Sequence, residues 1–509
     1  MKLDTTNPNH YTYATNHLEV EILGGIRLNN LDRLRTTISI KKVKDHNKLR
    51  HNLDLYNNNQ VEKLVRSTAE QLEIGTSIVR RTLQELTNAL ETYRLSQLAE
   101  LEADKITVKT LTKKEEQEAL KLLTSNNLLE TTNSLIGQSG VIGEETNRLL
   151  MYLIFTSRKS NNPLHCISLG SSGTGKTHLQ TKVSELIPQE DKVEITVLSE
   201  NAFYYFNRTE LRHKLILIED LDGAGNALYA IRELQSRHKI TKTVVHKDTR
   251  GNTKTIHLTV EGPVSIAGCT TKEEIYEDNS NRSFLLYIDE SLEQDERIMQ
   301  YQRLISAGKT NIDNELKAKE LLQNAQRCLT NIAVRNPYAE YLCLPSAVFK
   351  PRRTNAHYLQ FIEAVTFYHQ HQREKQYDKD TGEEYIETTI EDIQQANKLL
   401  AEVLLRKSDT ISGACRNYFE VLKAHLKNET QTTFSNREMS FKLRIPLSTI
   451  KRYHLQLINT QRIQLREKDK TGRHLYEITN YEEYHQLKQT IATVLDEAVH
   501  QLTRPVVAQ

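Results

Sequence analysis

Between residues 163 and 290 short apolar runs recur with a regularity the rest of the chain lacks. "LHCISLG", "VEITVLS", "KLILIED", "GPVSIAGCTT" and "RSFLLYIDE" are dense in β-branched and large aliphatic residues, and helical pieces lie between several of them. Runs of this length, bounded by glycine or acids, read as buried strands. Strands interleaved with helices predict an α/β sandwich around a mostly parallel sheet. One segment departs from the rule. "KITKTVVHKDTRGNTKTIHLTVEG" alternates with period two on both sides of "DTRGN", which predicts an inserted β-hairpin over 238–260.

Outside this region the pattern divides the chain further. Residues 1–58 hold short β-like pieces with Asn-rich turns. Residues 59–105 hold two amphipathic helices around "GTS", at the spacing of a helix–turn–helix or of a plain helical hairpin packed on a neighbour. The α/β core is expected over 106–290 and a helical lid with connecting helices over 291–430. Residues 431–482 read as a winged helix. "SNREMSFKLR" is the first helix, opened by the capping box of Ser435 and Glu438, "STIKRYHLQLINTQRI" is the recognition-type helix, and "QLREKDKTGRHLYEIT" is the wing. A helix and tail follow over 483–509.

Composition changes this picture only by exclusion. At 509 residues the chain has room for several domains. Its formal charge of +2 means that any surface for nucleic acid must be local. The five cysteines are scattered with no CxxC pair, which disfavours disulfide frameworks and zinc sites. No apolar run is long enough for a membrane span, and the N-terminus shows no secretory h-region. A cytoplasmic location and no membrane partner are expected.

The chemistry begins in "ISLGSSGTGKTHLQTKVSELI". Gly170, Ser171, Ser172, Gly173, Thr174, Gly175, Lys176 and Thr177 match G-x-x-x-x-G-K-[ST], after a strand and before a helix. Glycines there let backbone N–H groups turn inward around phosphate oxygens, and a helix N-terminus adds free donors. Lys176 suits the β- and γ-phosphates of ATP, and Thr177 offers a hydroxyl ligand to Mg2+. The run "LILIEDLDGAG" then ends a strand in Glu219, Asp220 and Asp222. The usual order is Asp then Glu. Here Glu219 takes the Mg2+ side and Asp220 the water side, with Asp222 a third candidate.

Further motifs carry a resemblance. "GPVSIAGCTT" resembles the sensor-1 strand of AAA+ ATPases, and the hairpin before it resembles the pre-sensor-1 hairpin of helicase-type members. With "GVIGEETNRLLMYLIFTSRKSNNPL", "GSSGTGKT", "NRSFLLYIDES" and "PRRTNAHYLQFIEAVTFYHQHQRE" in order, residues 50–480 resemble the helicase-like ATPase portion of bacterial primase–helicase proteins of mobile elements and phage. The zinc-finger and Toprim primase domains of longer members have no counterpart here, so priming is not carried over. The resemblance implies a catalytic set of Lys176, Glu219, Asp220 and sensor-1 Thr270. It also implies Arg282 as an arginine finger toward a neighbouring subunit, and Arg352 or Arg353, the latter favoured, as sensor 2. It implies a homo-oligomeric ring, with a hexamer favoured.

For nucleic acid the hairpin offers Lys239, Lys242, His246, Lys247, Arg250 and Lys254, with Arg250 beside the turn glycine. In a ring such tips converge on phosphates without reading sequence. Lys451, Arg452 and His454 are expected outward on the recognition-type helix and Arg473 on the wing. The expectation is an ATP- and Mg2+-dependent DNA helicase or translocase for a mobile element or phage, acting on single-stranded or forked DNA, with a separate primase as a possible partner. The alternative is an AAA+ regulator or loader that hydrolyses ATP without unwinding.

Overall fold

The computed structural model describes residues 3–503 apart from 29–30, 44, 46, 104–107, 248–252, 272–281, 346–347, 349, 430, 469–471 and 473. The chain divides into two units, Met1–Val108 and Lys109–Gln509.

In the first unit β1 (Leu3–Asn7), β2 (His10–Ala14), β3 (Leu18–Leu23), β4 (Arg35–Lys42) and β5 (Leu49–Asp54) form an antiparallel sheet in sequence order. Period-two alternation buries Leu18, Val20 and Ile22 on β3 and Ile38 and Ile40 on β4. Two helices cover that face: α1 (Asn58–Gln71) with Leu64 and Val65, and α2 (Thr76–Ala103) with Val79, Leu83, Leu86 and Leu90. Each fully buried aliphatic side chain contributes about 1.5–3 kcal/mol. Sheet and helices thus share one core, and residues 58–103 are a helical hairpin packed on the strands before them.

The second unit opens with α3 (Lys113–Leu123), α4 (Leu128–Gln138) and α5 (Glu145–Thr156). The α/β region follows: β6 (Cys166–Leu169), α6 (Lys176–Ser184), β7 (Lys192–Ile195), β8 (Lys214–Ile218), α7 (Leu228–Arg237), β9 (Lys239–Lys247), β10 (Thr253–Glu261), β11 (Val264–Thr270) and β12 (Phe284–Tyr287). Its sheet runs β12-β6-β11-β8-β7, with every pairing parallel. Apolar side chains cover both faces, as a buried parallel sheet requires. Leu215 and Leu217 join Leu179 and Val183 of α6 on one face, while Ile216 and Ile218 join Ile231 and Leu234 of α7 on the other. The inserted hairpin is present as β9–β10, paired without a break from Lys239↔Glu261 to Lys247↔Thr253. The fold is α/β, with a phosphate-loop domain built on a parallel sheet.

Helices α8 (Leu292–Ser306) and α9 (Ile312–Cys328) follow, then β13 (Ala333–Arg335), α10 (Pro351–Tyr368), β14 (Gln376–Tyr377), β15 (Glu384–Glu387) and α11 (Ile390–Ser408). The C-terminal elements are α12 (Gly413–Asn428), β16 (Thr433–Phe434), α13 (Asn436–Lys442), α14 (Leu447–Asn459), β17 (Ile463–Lys468), β18 (His474–Ile478) and α15 (Glu483–Thr503). Their core begins at Ile411, because Cys415, Tyr418, Phe419 and Leu422 of α12 pack with Met439, Ile450 and Leu457. Helix α15 returns to the large core through Ile491, Leu495 and Val499. No helix among the described residues is long and apolar enough to cross a membrane.

Candidate functional site

Strand β6 ends at Leu169, and residues 170–175 turn the chain into α6. Gly173 and Gly175 have φ of +85° and +88°, which a residue with a side chain adopts only under strain. A Cβ at Gly170 would lie 2.9 Å from Thr174 Oγ1, so that position admits no side chain without a shift. No side chain caps α6 at Gly175, which leaves its first-turn N–H groups for a ligand. Lys176 is buried, and its ammonium donates to the carbonyls of Gly170 at 2.8 Å and Ser171 at 2.5 Å. Thr177 is exposed at the helix start. A phosphate chain with Mg2+ fits this set: an open backbone cradle, one ammonium and a hydroxyl.

The strand-end acids lie one element away. Parallel register aligns Ile218 of β8 with Gly268 of β11, and Leu169 of β6 with Thr270. Carried two residues on, Asp220 comes level with Thr270 and with the start of the phosphate loop. Glu219 and Asp220 are exposed, as ligand-facing groups would be. Continued alternation gives Glu219 the α6 side of the sheet. Asp222 is the one held in place. Its carboxylate accepts from Thr270 Oγ1 at 2.8 Å and Thr271 Oγ1 at 3.2 Å. The Asp220 carboxylate accepts the Asp222 N–H at 2.8 Å, which fixes the turn. Gln180 of α6 donates to the Ile218 carbonyl and accepts from Cys269 Sγ, tying both strand ends to the phosphate-loop helix. Burial pushes the Cys269 thiol up to about 11, so it is a packing group.

Glu290 is an acid the sequence pattern did not single out. Its Oε1 accepts the Ser171 N–H at 2.6 Å. Glu144, whose carboxyl burial raises, accepts the Asp289 N–H at 2.7 Å and holds the end of β12 in place. The signal was present: "LLYIDE" is an apolar strand ending in acids, as "LILIED" is.

Arg282 and Arg353 lie elsewhere. Both line a cavity of about 260 Å3 with His165, His238 and His357. Arg282 precedes β12 and His165 precedes β6, so this cavity is at the N-terminal ends of the strands, opposite the phosphate loop. The strand length alone separates them by roughly 15 Å. Neither arginine is brought beside Lys176 of its own chain. Arg282 Nε donates to Ser236 Oγ at 2.7 Å, at the end of α7. Burial pushes His165 and His357 down to about 3, so both are neutral.

The candidate nucleic-acid residues divide. Lys451 and Arg452 are exposed on α14. His454 is not, which corrects the expectation that it faces outward. It is 1% exposed, and burial pushes it down to about 4. It bonds Asn436 Oδ1 through Nδ1 and the Tyr418 hydroxyl through Nε2, which a neutral ring protonated on Nδ1 satisfies. Lys242 donates to Asn201 Oδ1 at 2.6 Å, so it anchors the hairpin base. Arg250, Arg473 and the side chains of His246, Lys247 and Lys254 lie outside the described residues.

Against this geometry the comparisons with known proteins are partial. Residues 109–331 match the family described as "MTBMA_p00010 P-loop domain". The chain is similar to an uncharacterized protein of Methanothermobacter marburgensis, 23% identical over 287 residues, which span 54% of this chain and 35% of that protein. Among solved structures it is similar to a full-length MCM homolog from Methanopyrus kandleri, at 13% identity and a TM-score of 0.39, covering 59% of this chain and 64% of that one. It also shares a weaker likeness with a chain of Drosophila ORC bound to DNA, at 12% identity and a TM-score of 0.23, covering 77% and 98%. By the family match over residues 109–331, the stretch from α3 through α9 is a P-loop domain.

Proposed function

We propose that this chain is an AAA+ ATPase that binds ATP with Mg2+ and uses hydrolysis to move along and unwind DNA, as a ring of copies, in the replication of a mobile element or phage. One observation carries the reading: the phosphate loop, Glu219, Asp220 and the Asp222–Thr270 pair stand at one level on adjacent parallel strand ends. Bound ATP and Mg2+ supply the phosphoanhydride and the charge that eases its cleavage. The protein's part is positional. Lys176 and the N–H groups of α6 hold phosphate oxygens, Thr177 and Glu219 hold the metal, and the Asp220 carboxylate takes the proton of the attacking water. Asp222 fixes the Thr270 hydroxyl, whose oxygen can accept from that water. Arg282 and Arg353 serve a neighbouring copy's phosphates, since they face away from their own. The C-terminal unit is a winged helix that presents Lys451 and Arg452 to DNA, with the β9–β10 hairpin as the second contact.

A regulator or loader is the second reading. It is favoured by Phe441, Leu455 and Leu465 of the C-terminal unit, exposed at 87%, 59% and 50%, which suit a protein contact. Strand displacement on forked DNA with ATP separates the two. The helicase reading expects displacement by the native chain and none by Lys176→Ala. DNA-stimulated hydrolysis without displacement at any protein concentration assigns the loader role.

A further inference from the structure

The first unit carries a charged groove that the ATPase reading does not use. It follows β5, the terminal strand of the order β1-β2-β3-β4-β5, so one side of β5 has no neighbour in that sheet. The groove has a volume of about 550 Å3. Its walls include Arg33 and Arg35 at the start of β4, His51, Asn52 and Asp54 of β5, and Lys63 of α1.

Register fixes what the strand edge offers. The Asp54 N–H points away from β4, because it donates to Gln60 Oε1 at 2.9 Å. Alternate residues of a strand share a direction, so the Asn52 and Arg50 amides face the same open side. Cations outnumber the single carboxylate there. Arg33, Arg35 and Lys63 are exposed. Asp54 is the one carboxylate among the lining residues, and its Oδ1 is committed to the N–H groups of Leu34 at 2.9 Å and Tyr56 at 3.1 Å. Asp32 approaches Arg33 at 3.5 Å, but both side chains are more than 70% exposed, where such a pair is weak. Arg35 Nε donates at 3.4 Å to Asn52 Oδ1, a neutral partner.

We propose that this groove binds the phosphodiester backbone of a single nucleic-acid strand. Two guanidinium forks, an ammonium and edge amides are all donors, and phosphate oxygens only accept. Cations this exposed suit an extended polyanion that stays hydrated, rather than a small ligand enclosed in a pocket. The assignment is independent of the ATPase reading, and neither stands or falls with the other.

The test uses the full chain without nucleotide and a labelled strand of about 12 nucleotides. Fluorescence anisotropy across a salt series is paired with amide hydrogen exchange. The triple variant Arg33→Gln, Arg35→Gln, Lys63→Gln is expected to bind at least tenfold more weakly. Its salt slope should fall by about two, since each lost phosphate contact on a single strand is worth about 0.7. The amides of Arg50 and Asn52 should gain protection from the strand in the native chain and not in the variant, while hydrolysis without DNA stays unchanged. Unchanged affinity and slope in a variant that melts like the native chain overturns the proposal. Should the variant not fold, absence of protection at Arg50 and Asn52 in the native chain overturns it alone. Competition by a polyglutamate of matched charge as effective as an unlabelled strand also overturns it, in favour of an acidic peptide.

Discussion

Three acids end β8, and their hydrogen bonds separate their roles. Asp222 is engaged by Thr270 and Thr271, while Glu219 and Asp220 are exposed, Asp220 accepting the Asp222 N–H. A proton acceptor contributes about 10²–10⁴ in rate, so Asp220→Asn is expected to lower kcat by at least a hundredfold with KM little changed. Asp222→Asn should cost about tenfold or less, because its amide oxygen still accepts from Thr270, and Thr270→Val, which deletes that bond, should cost no more than a hydrogen bond is worth, about tenfold. Steady-state hydrolysis by the three variants checks the order; Asp222→Asn falling furthest would reverse it. His454 makes a different point at this scale. Its position three residues after Lys451 suggested the same outer face. Yet 450, 454 and 457 form the helix's inner stripe, and Ile450 and Leu457 are both buried. The three-residue step from Lys451 misled, whereas the apolar stripe set the facing. Held near 4 in the fold against an ordinary 6.5, His454 binds fewer protons folded than unfolded between those values. Its contribution is therefore full above pH 6.5 and is lost as pH falls toward 4. The thermal midpoint should drop across that window, and less steeply in His454→Gln; equal slopes would remove this residue as the cause.

At the scale of elements, apolar runs mapped onto strands because a buried parallel strand has no polar face to dilute its signal. "CISL", "KLILI" and "VSIAGCT" became β6, β8 and β11, and the period-two stretch became β9–β10. Partner choice was not legible. A helix stripe shows that a face is buried and not what buries it, so α1 and α2 gave no sign that they share a core with β3 and β4. For the same reason α12 looked like a connector, although Cys415 and Phe419 belong to the C-terminal core. That core leaves one face of α14 to Ile450, His454 and Leu457 and the other to Lys451 and Arg452. Reversal to Lys451→Glu, Arg452→Glu is expected to weaken duplex binding at least tenfold and flatten its salt dependence, with the melting temperature unchanged. Unaltered binding would assign α14 to a protein partner, which its exposed Leu455 would also suit.

At the scale of the whole molecule, the sheet sets direction. Lys176 follows the C-terminal end of β6, whereas Arg282 and Arg353 share a cavity at the strands' N-terminal ends. The two halves of the proposed ATPase site thus face opposite ways. A head-to-tail contact brings them together and repeats into a ring where its rotation closes, whereas a two-fold contact buries like against like. This geometry makes a quantitative prediction for mixed assemblies. Arg282→Ala keeps an intact phosphate loop but offers no arginine, and Lys176→Ala offers the arginine but no working loop. Each alone should be inactive. In an equimolar random mixture, two choices of arginine donor and two of loop holder give four equal pairings, one of them intact. Hydrolysis should return to about a quarter of the native rate per chain, and to less where sites around the ring depend on one another. An arginine that acted on its own chain's phosphates would leave the mixture no more active than the average of the two variants. Native-rate titration across mixing ratios distinguishes these outcomes, because restoration from opposed faces peaks at equal amounts and vanishes at both ends.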